Sequence, residues 1–230
     1  MDAELIARGF WGPRQESPDR IADRLLAFLA ALDDMAGETL PWSSADLAGA
    51  LLSDPVNARR VISDAFRANT DAPHLGISQH YDADSERFSR ISLGMTVGGY
   101  SDSARVHNAV VLKWRGAEAL AGPILRQVVA AWDPDWAAVT SRSLLRALAD
   151  VQPAGSPGPK AGHLTYLSEG RAQVLPDGLD KHLVRLENLG VVIGSDRSDG
   201  FLSDGEAGEL ARILRSSAAF SAVPTSRSKF

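Results

Sequence analysis

The feature that most limits what this chain can fold into is a change of apolar period along its length. After Ser17-Pro18, Ile21, Leu25, Phe28, Leu29 and Leu32 recur every three or four residues, with Asp19, Arg20, Asp23, Arg24 and Asp33 between them. That spacing gathers the apolar side chains on one helix face. Ser17 suits the N-cap, Pro18 the first helical position and Gly37 the end. Further on, Ile91, Leu93, Met95 and Val97 alternate with Ser92, Gly94 and Thr96, the two-residue period of a half-buried strand. A chain that must bury both a helix stripe and a sheet face is α+β.

The remaining patterns fill in that class. Short helical patterns begin at Ser44 and at Asp54-Pro55, and a strand is predicted over 75–81 with its turn at 82–85. The apolar run 106–114 completes a meander of three antiparallel strands with 91–97. Leu120, Ile124, Leu125, Val128, Val129 and Trp132 mark a central helix, stopped by Asp133-Pro134. A Pro/Gly/Ser loop over 152–160 precedes strands at 162–168 and 183–194, and Ser203 caps a final helix through Leu214. The expectation is one domain over 1–220, a largely antiparallel sheet packed against N-terminal, central and C-terminal helices. Residues 221–230 are expected to form a flexible tail.

Composition narrows function by exclusion. The 230 residues hold no Cys, which removes disulfide frameworks, thiolate metal sites and cysteine nucleophiles. With 24 basic and 29 acidic side chains, the formal charge of −5 argues against a dedicated nucleic-acid binder. The N-terminal residues lack a signal-peptide pattern and no apolar run is long enough to span a bilayer, so a cytoplasmic protein is expected.

Catalytic signatures are sparse. The five histidines are scattered, with no pair at helical ligand spacing, and no metal or other cofactor is expected. Asp82, Asp84 and Glu86 imitate the opening of a calcium loop, but Arg87 stands where glycine is required and Leu93 where the closing glutamate should be. They read as an exposed acidic turn. An enzyme acting on a small molecule would use His80 or His107 with Asp82 or Asp84 as an acid–base pair. Tryptophan wants burial for its ring and a partner for its N–H, so Trp11 and Trp132 are expected to seal helices against the sheet.

Three blocks give the chain a family likeness. Residues 9–17 (GFWGPRQES) lead into an amphipathic helix, Trp132-Asp133-Pro134-Asp135-Trp136 ends another, and residues 162–168 read GHLTYLS. In order and spacing these resemble the immunity protein 52 family, over about residues 5–215. The resemblance places a tryptophan where His163 stands. It implies a non-catalytic antitoxin of a bacterial polymorphic toxin system, whose toxins are delivered notably by type VI secretion. Such a protein neutralises a restriction-endonuclease-like toxin by direct contact in the cytoplasm, and binds neither nucleic acid nor membrane itself. Exposed acids suit a partner built to hold nucleic acid. Asp82, Asp84 and Glu86 are therefore the first toxin-binding candidates, with Asp133 and Asp135 second. Trp11, Arg14, Trp132, Trp136 and Tyr166 are assigned structural roles, with the Trp11 ring buried and Arg14 holding the turn into the first helix.

Overall fold

In a computed structural model, residues 4–103, 108–153, 158–179, 182–187, 189–194, 201–226 and 228–230 are described. The chain runs β1 (Leu5–Trp11), α1 (Pro18–Ala36), α2 (Pro55–Ala68), β2 (Ile77–Ala83), β3 (Ile91–Val97), β4 (Asn108–Trp114), α3 (Ala121–Trp132) and β5 (Trp136–Ser141). Then follow α4 (Arg142–Ala147), β6 (Leu164–Ser168), α5 (Glu169–Ala172), β7 (Leu183–Leu186), β8 (Gly190–Ile193) and α6 (Asp204–Leu214). The strands form one sheet in the order β2-β3-β4-β1-β5-β6-β8-β7, and every neighbouring pair is antiparallel. The α+β class and the β2-β3-β4 meander stand as read.

The helix ends follow from local chemistry. The Ser17 side chain accepts from the Arg20 N–H, and Gly37, at φ 75°, closes α1 by donating its N–H to the Asp33 carbonyl. Asp54 accepts from the Val56 and Asn57 amides at the start of α2. Ser203 and Glu206 make a reciprocal capping box at α6. The pattern after Ser44 amounts to a single 3-10 turn, Ala45–Leu47.

Two strands went unread, and both lie at the centre of the sheet. β1 sits between β4 and β5, and β5 between β1 and β6. Every residue of β5 is buried, its first four, WAAV, are all apolar, and Thr140 and Ser141 follow one another, so no polar/apolar alternation marks the strand. In β1 the inward residues Leu5, Ala7, Gly9 and Trp11 are buried. Gly9 is there because α3 crosses closely: a Cβ would meet Val128 Cγ1 at 3.0 Å.

Helices α1, α2 and α3 cover one face of the sheet. Trp11 and Trp132 stack there with centroids 6.3 Å apart, and Phe28 meets Trp132 edge-on at 6.2 Å. A second core lies on the opposite face of β5, β6 and β8, where Trp136, Ala138, Leu167 and Ile193 meet Leu144, Leu148 and α6 residues Ala207, Leu210 and Leu214. All five indole N–H groups are buried without a hydrogen-bond partner among the described residues, contrary to the expected partnering.

The last residues do not behave as a free tail. The Ser228 carbonyl accepts from the Gly12 N–H at 2.9 Å, Lys229 pairs with Asp133, and the Phe230 N–H donates to Asp135 Oδ1 at 2.8 Å. The Arg171 guanidinium lies 4.8 Å from the Phe230 ring centroid. Polar partners hold the last three residues and Val223 is buried in the second core, contacts that a mostly polar stretch does not announce.

Candidate partner-binding surface

Among the described residues, the face of the sheet opposite α1–α3 is covered only over its β5-β6-β8 half. Over β2, β3, β4 and β1 it carries Ser78, His80, Ser92, Thr96, Val111, Lys113 and Arg8, all exposed or half-buried, while the alternate residues of these strands, apart from half-buried Gln79, are buried beneath the helices. Period-two alternation therefore builds an open, mostly polar sheet face.

At the end of that face is a groove of about 280 Å³ whose lining includes Glu4, His80, Asp82, Arg90, Lys113 and Arg142. Arg142 Nε lies 3.1 Å from Glu4, and Arg115 reaches the same carboxylate at 3.8 Å. Arg90 stands 3.6 Å from Asp82, and His80 Nε2 3.3 Å from it. Each carboxylate is thus shared between two basic groups. These are exposed contacts, each contributing about 0–1 kcal/mol.

Arg8, on β1, is the unusual cation of this region. Its Nε and Nη2 are buried without a hydrogen-bond partner, and its guanidinium sits 5.9 Å from the Trp136 ring centroid. Burial lowers its pKa to about 10. Its signal was present in the sequence as a charge inside the apolar run LIARGFW; so was the spread of Arg90, Lys113, Arg115 and Arg142, but only strand register brings those together.

The acidic candidates separate into two places. Asp82 lies within β2 rather than in a turn, because the strand runs on to Ala83, and its backbone bridges to Ser43. Asp84 and Glu86 are exposed on the hairpin between β2 and β3. That hairpin is tied down by Glu38, which accepts from the Ser85 hydroxyl at 2.6 Å and the Glu86 N–H at 3.2 Å. Asp133 sits at the opposite end of the strands, where β1 ends beside Trp136. It takes φ 49° as the C-cap of α3, and its carboxylate pairs with Lys229.

Asp135 corrects the expectation of an exposed acidic turn. It is completely buried, and its carboxylate receives Arg171 Nη2 at 2.6 Å and Nε at 2.8 Å, with the Ser168 hydroxyl at 3.0 Å. A side chain with no exposure cannot present charge to a partner.

The structural motif residues are placed as follows. Trp11, Trp132 and Tyr166 are fully buried and Trp136 nearly so. Arg14 Nη2 donates to the Trp132 carbonyl at 2.7 Å and Nη1 to that of Asp133 at 3.2 Å, while its guanidinium lies 4.6 Å from the Trp11 ring centroid. Glu16 holds Arg14 and Arg24 at 2.9 and 2.8 Å. The first block therefore fastens the turn after β1 to the C-terminus of α3. Tyr166 donates its hydroxyl to the Leu189 carbonyl at 2.6 Å, and burial raises its pKa well beyond the usual phenol range. His163 stacks on Phe201 at 4.5 Å and joins the Leu202 carbonyl to the Ser141 hydroxyl, at 2.8 and 3.1 Å.

Of the histidine–carboxylate pairs, His80 and Asp82 do meet, on an exposed strand face; His107 lies outside the described residues. Ser141 and His163 also touch, but the serine oxygen is engaged as the N-cap of α4, accepting from the Leu144 N–H. Among the described residues no group of three metal-ligating side chains converges, and no helix is long and apolar enough to cross a membrane.

Comparison with known families turns on the segment from β3 to just past β8. Residues 92–197 match the model of immunity protein 52. The immunity protein 52 likeness is real. The matched segment contains the second and third sequence blocks, with Trp132, Trp136 and Tyr166, whereas the first block and Asp82, Asp84 and Glu86 precede it. A family of immunity proteins points away from an enzyme and towards a toxin as partner. Among solved structures, the Pseudomonas aeruginosa T6SS protein PA0821 shares the fold at a TM-score of 0.53 and 14% identity, covering 93% of this chain and 73% of that one. No curated protein matches this sequence.

Proposed function

We propose that this chain is an immunity protein that binds and neutralises a cognate nuclease toxin of a type VI or related polymorphic toxin system. The immunity protein 52 match carries the reading, and the fold shared with a T6SS protein agrees with it. The partner is a restriction-endonuclease-like toxin, met in the cytoplasm where its nucleic-acid substrate lies. Such a nuclease needs a basic cleft for phosphates beside its metal-binding carboxylates. Inhibition is by occlusion: the hairpin carrying Asp84 and Glu86, with Asp82 at its base, offers carboxylates to that basic cleft. The open sheet face beside it supplies a broad contact area without rearrangement of the core.

The test is co-expression with the toxin encoded beside this gene. Cells carrying the active toxin should survive only with this protein, and purified chain should bind a catalytically inactive toxin and suppress cleavage by the active one. Survival unaffected by the protein, with no complex formed, would remove the proposal.

A further inference from the structure

The outer edge of β2 carries backbone groups that pair with no described residue. The Asp82 N–H donates to the Ser43 carbonyl at 3.0 Å, and the Asp82 carbonyl accepts from the Ser43 N–H at 2.8 Å. Asp82 therefore turns its backbone away from β3. Along an antiparallel strand the direction of these groups alternates, so Ser78 and His80 aim their N–H and C=O the same way. Their cross-strand neighbours, Thr96 and Gly94, stand at non-hydrogen-bonded positions like Ser92 opposite Asp82. β2 ends the sheet, and no described residue bonds these outward groups.

Sheet edges are ordinarily blunted by lysine, proline, a bulge or a covering segment. The β2 sequence ISQHYDA has neither lysine nor proline, and Ser43 covers it only at Asp82. Beside the uncovered part runs a groove of about 560 Å³, with Ile77, Ser78 and Gln79 on one wall and Val61, Asp64 and Ala65 of α2 on the other. Asp64 is held by Arg60 at 3.6 Å and by Arg67 at 2.7 Å, which leaves one positive charge on the helix, and Asp46 also lines the groove, so the slot as a whole is nearly neutral. The slot suits an extended backbone, which alone offers free donors and acceptors at strand spacing, with an apolar side chain turned towards Val61 and Ala65.

We infer that the β2 edge takes up an extended segment of the toxin, about five residues long, as an additional strand of the sheet. This rests on the reading that a toxin is the partner, and it adds the mode of recognition: main-chain pairing along 77–81. The hairpin acids at the far end of β2 then lie beside the same contact.

The experiment uses the full chain and the catalytically inactive toxin encoded beside its gene. Ser78→Pro and His80→Pro each delete an outward N–H while sparing the β3 ladder, a position where an edge strand tolerates proline. Each should keep its melting temperature near wild type and lose at least about tenfold in affinity, as expected for one main-chain hydrogen bond and its strand contacts. Gln79→Pro removes a ladder bond instead and should melt earlier. Amide exchange of the wild-type chain gives a readout independent of folding defects: the Ser78 and His80 amides should slow at least about tenfold on complex formation. Folded proline variants with full affinity, or unprotected amides in a complex that does form, would overturn the edge assignment alone. Failure of the wild-type chain to bind the toxin would overturn the functional reading, and the edge assignment with it.

Discussion

Arg171 closes on Asp135 through two hydrogen bonds, at 2.6 and 2.8 Å, with both side chains completely buried. The pair also gathers the chain's end: Arg171 Nη1 donates to the Ala219 and Ser221 carbonyls, and Asp135 receives the Phe230 N–H. Removing one partner strands an uncompensated charge in the interior, which costs about 3–5 kcal/mol. Asp135→Ala should therefore lower the unfolding free energy by that amount, read from a urea titration, and release the last residues to proteolysis. A variant with wild-type stability would show that Asp135 is not the anchor.

Trp11 is wholly buried, stacked on Trp132 and lying beneath the Arg14 guanidinium. Trp11→Ala should cost about 3–5 kcal/mol. Calorimetry or denaturant unfolding measures this directly. Unchanged stability together with lost toxin binding would move Trp11 from the core to the partner surface.

The sequence was most legible where one face of an element is wet. α1, β3 and α6 each alternate cleanly between core and solvent, so their period announces them. β1 and β5 lie between neighbours on both sides, and the all-buried β5, with WAAV followed by Thr140 and Ser141, shows no polar/apolar alternation. The candidate surface was legible by residue type and not by place. Asp84 and Asp135 look alike in sequence, two acids in turn-rich stretches. One is exposed on a hairpin and the other is paired with an arginine 36 residues further on, a contact no local spacing encodes. Likewise Arg90, Lys113 and Arg142 meet only because β3, β4, β1 and β5 pair in one register.

Asp33 offers a test of pH dependence. It sits in the last turn of α1, where the helix dipole disfavours negative charge, and it accepts the Leu40 N–H through Oδ1 at 3.0 Å. Burial raises its pKa above the usual aspartate value, with Asp34 adding to the rise and the Leu40 hydrogen bond opposing it. The raised folded value means the neutral form is favoured by folding: that contribution is present below the unfolded pKa and lost as pH rises through the folded one. Asp33→Asn keeps an acceptor and removes the charge. At pH 7 it should stabilise the protein by about 0.3–1 kcal/mol, and the advantage should vanish in acid below the ordinary aspartate range. Melting temperatures of both proteins across pH 3–7 check this, and a variant equally or less stable at pH 7 would refute it.

The charge on the β2–β3 hairpin sets the final expectation. Asp84 and Glu86 are exposed at its tip, and Ser85 and Phe88 hold the backbone beneath them, the first through Glu38 and the second by burial. Replacing both acids with lysine should leave stability within about 0.5 kcal/mol, since no core contact is touched. If these carboxylates steer the protein towards a basic nuclease cleft, Asp84→Lys combined with Glu86→Lys should slow association about tenfold at low salt. It should also flatten the salt dependence and change dissociation less. Stopped-flow binding to inactive toxin at several ionic strengths reads both effects. Asp82 serves as the internal comparison, because Arg90 and His80 already draw on its charge and its backbone is fixed to Ser43; Asp82→Asn should change the association rate less than the double lysine variant. An association rate that ignores all three positions would place the toxin contact elsewhere on the molecule.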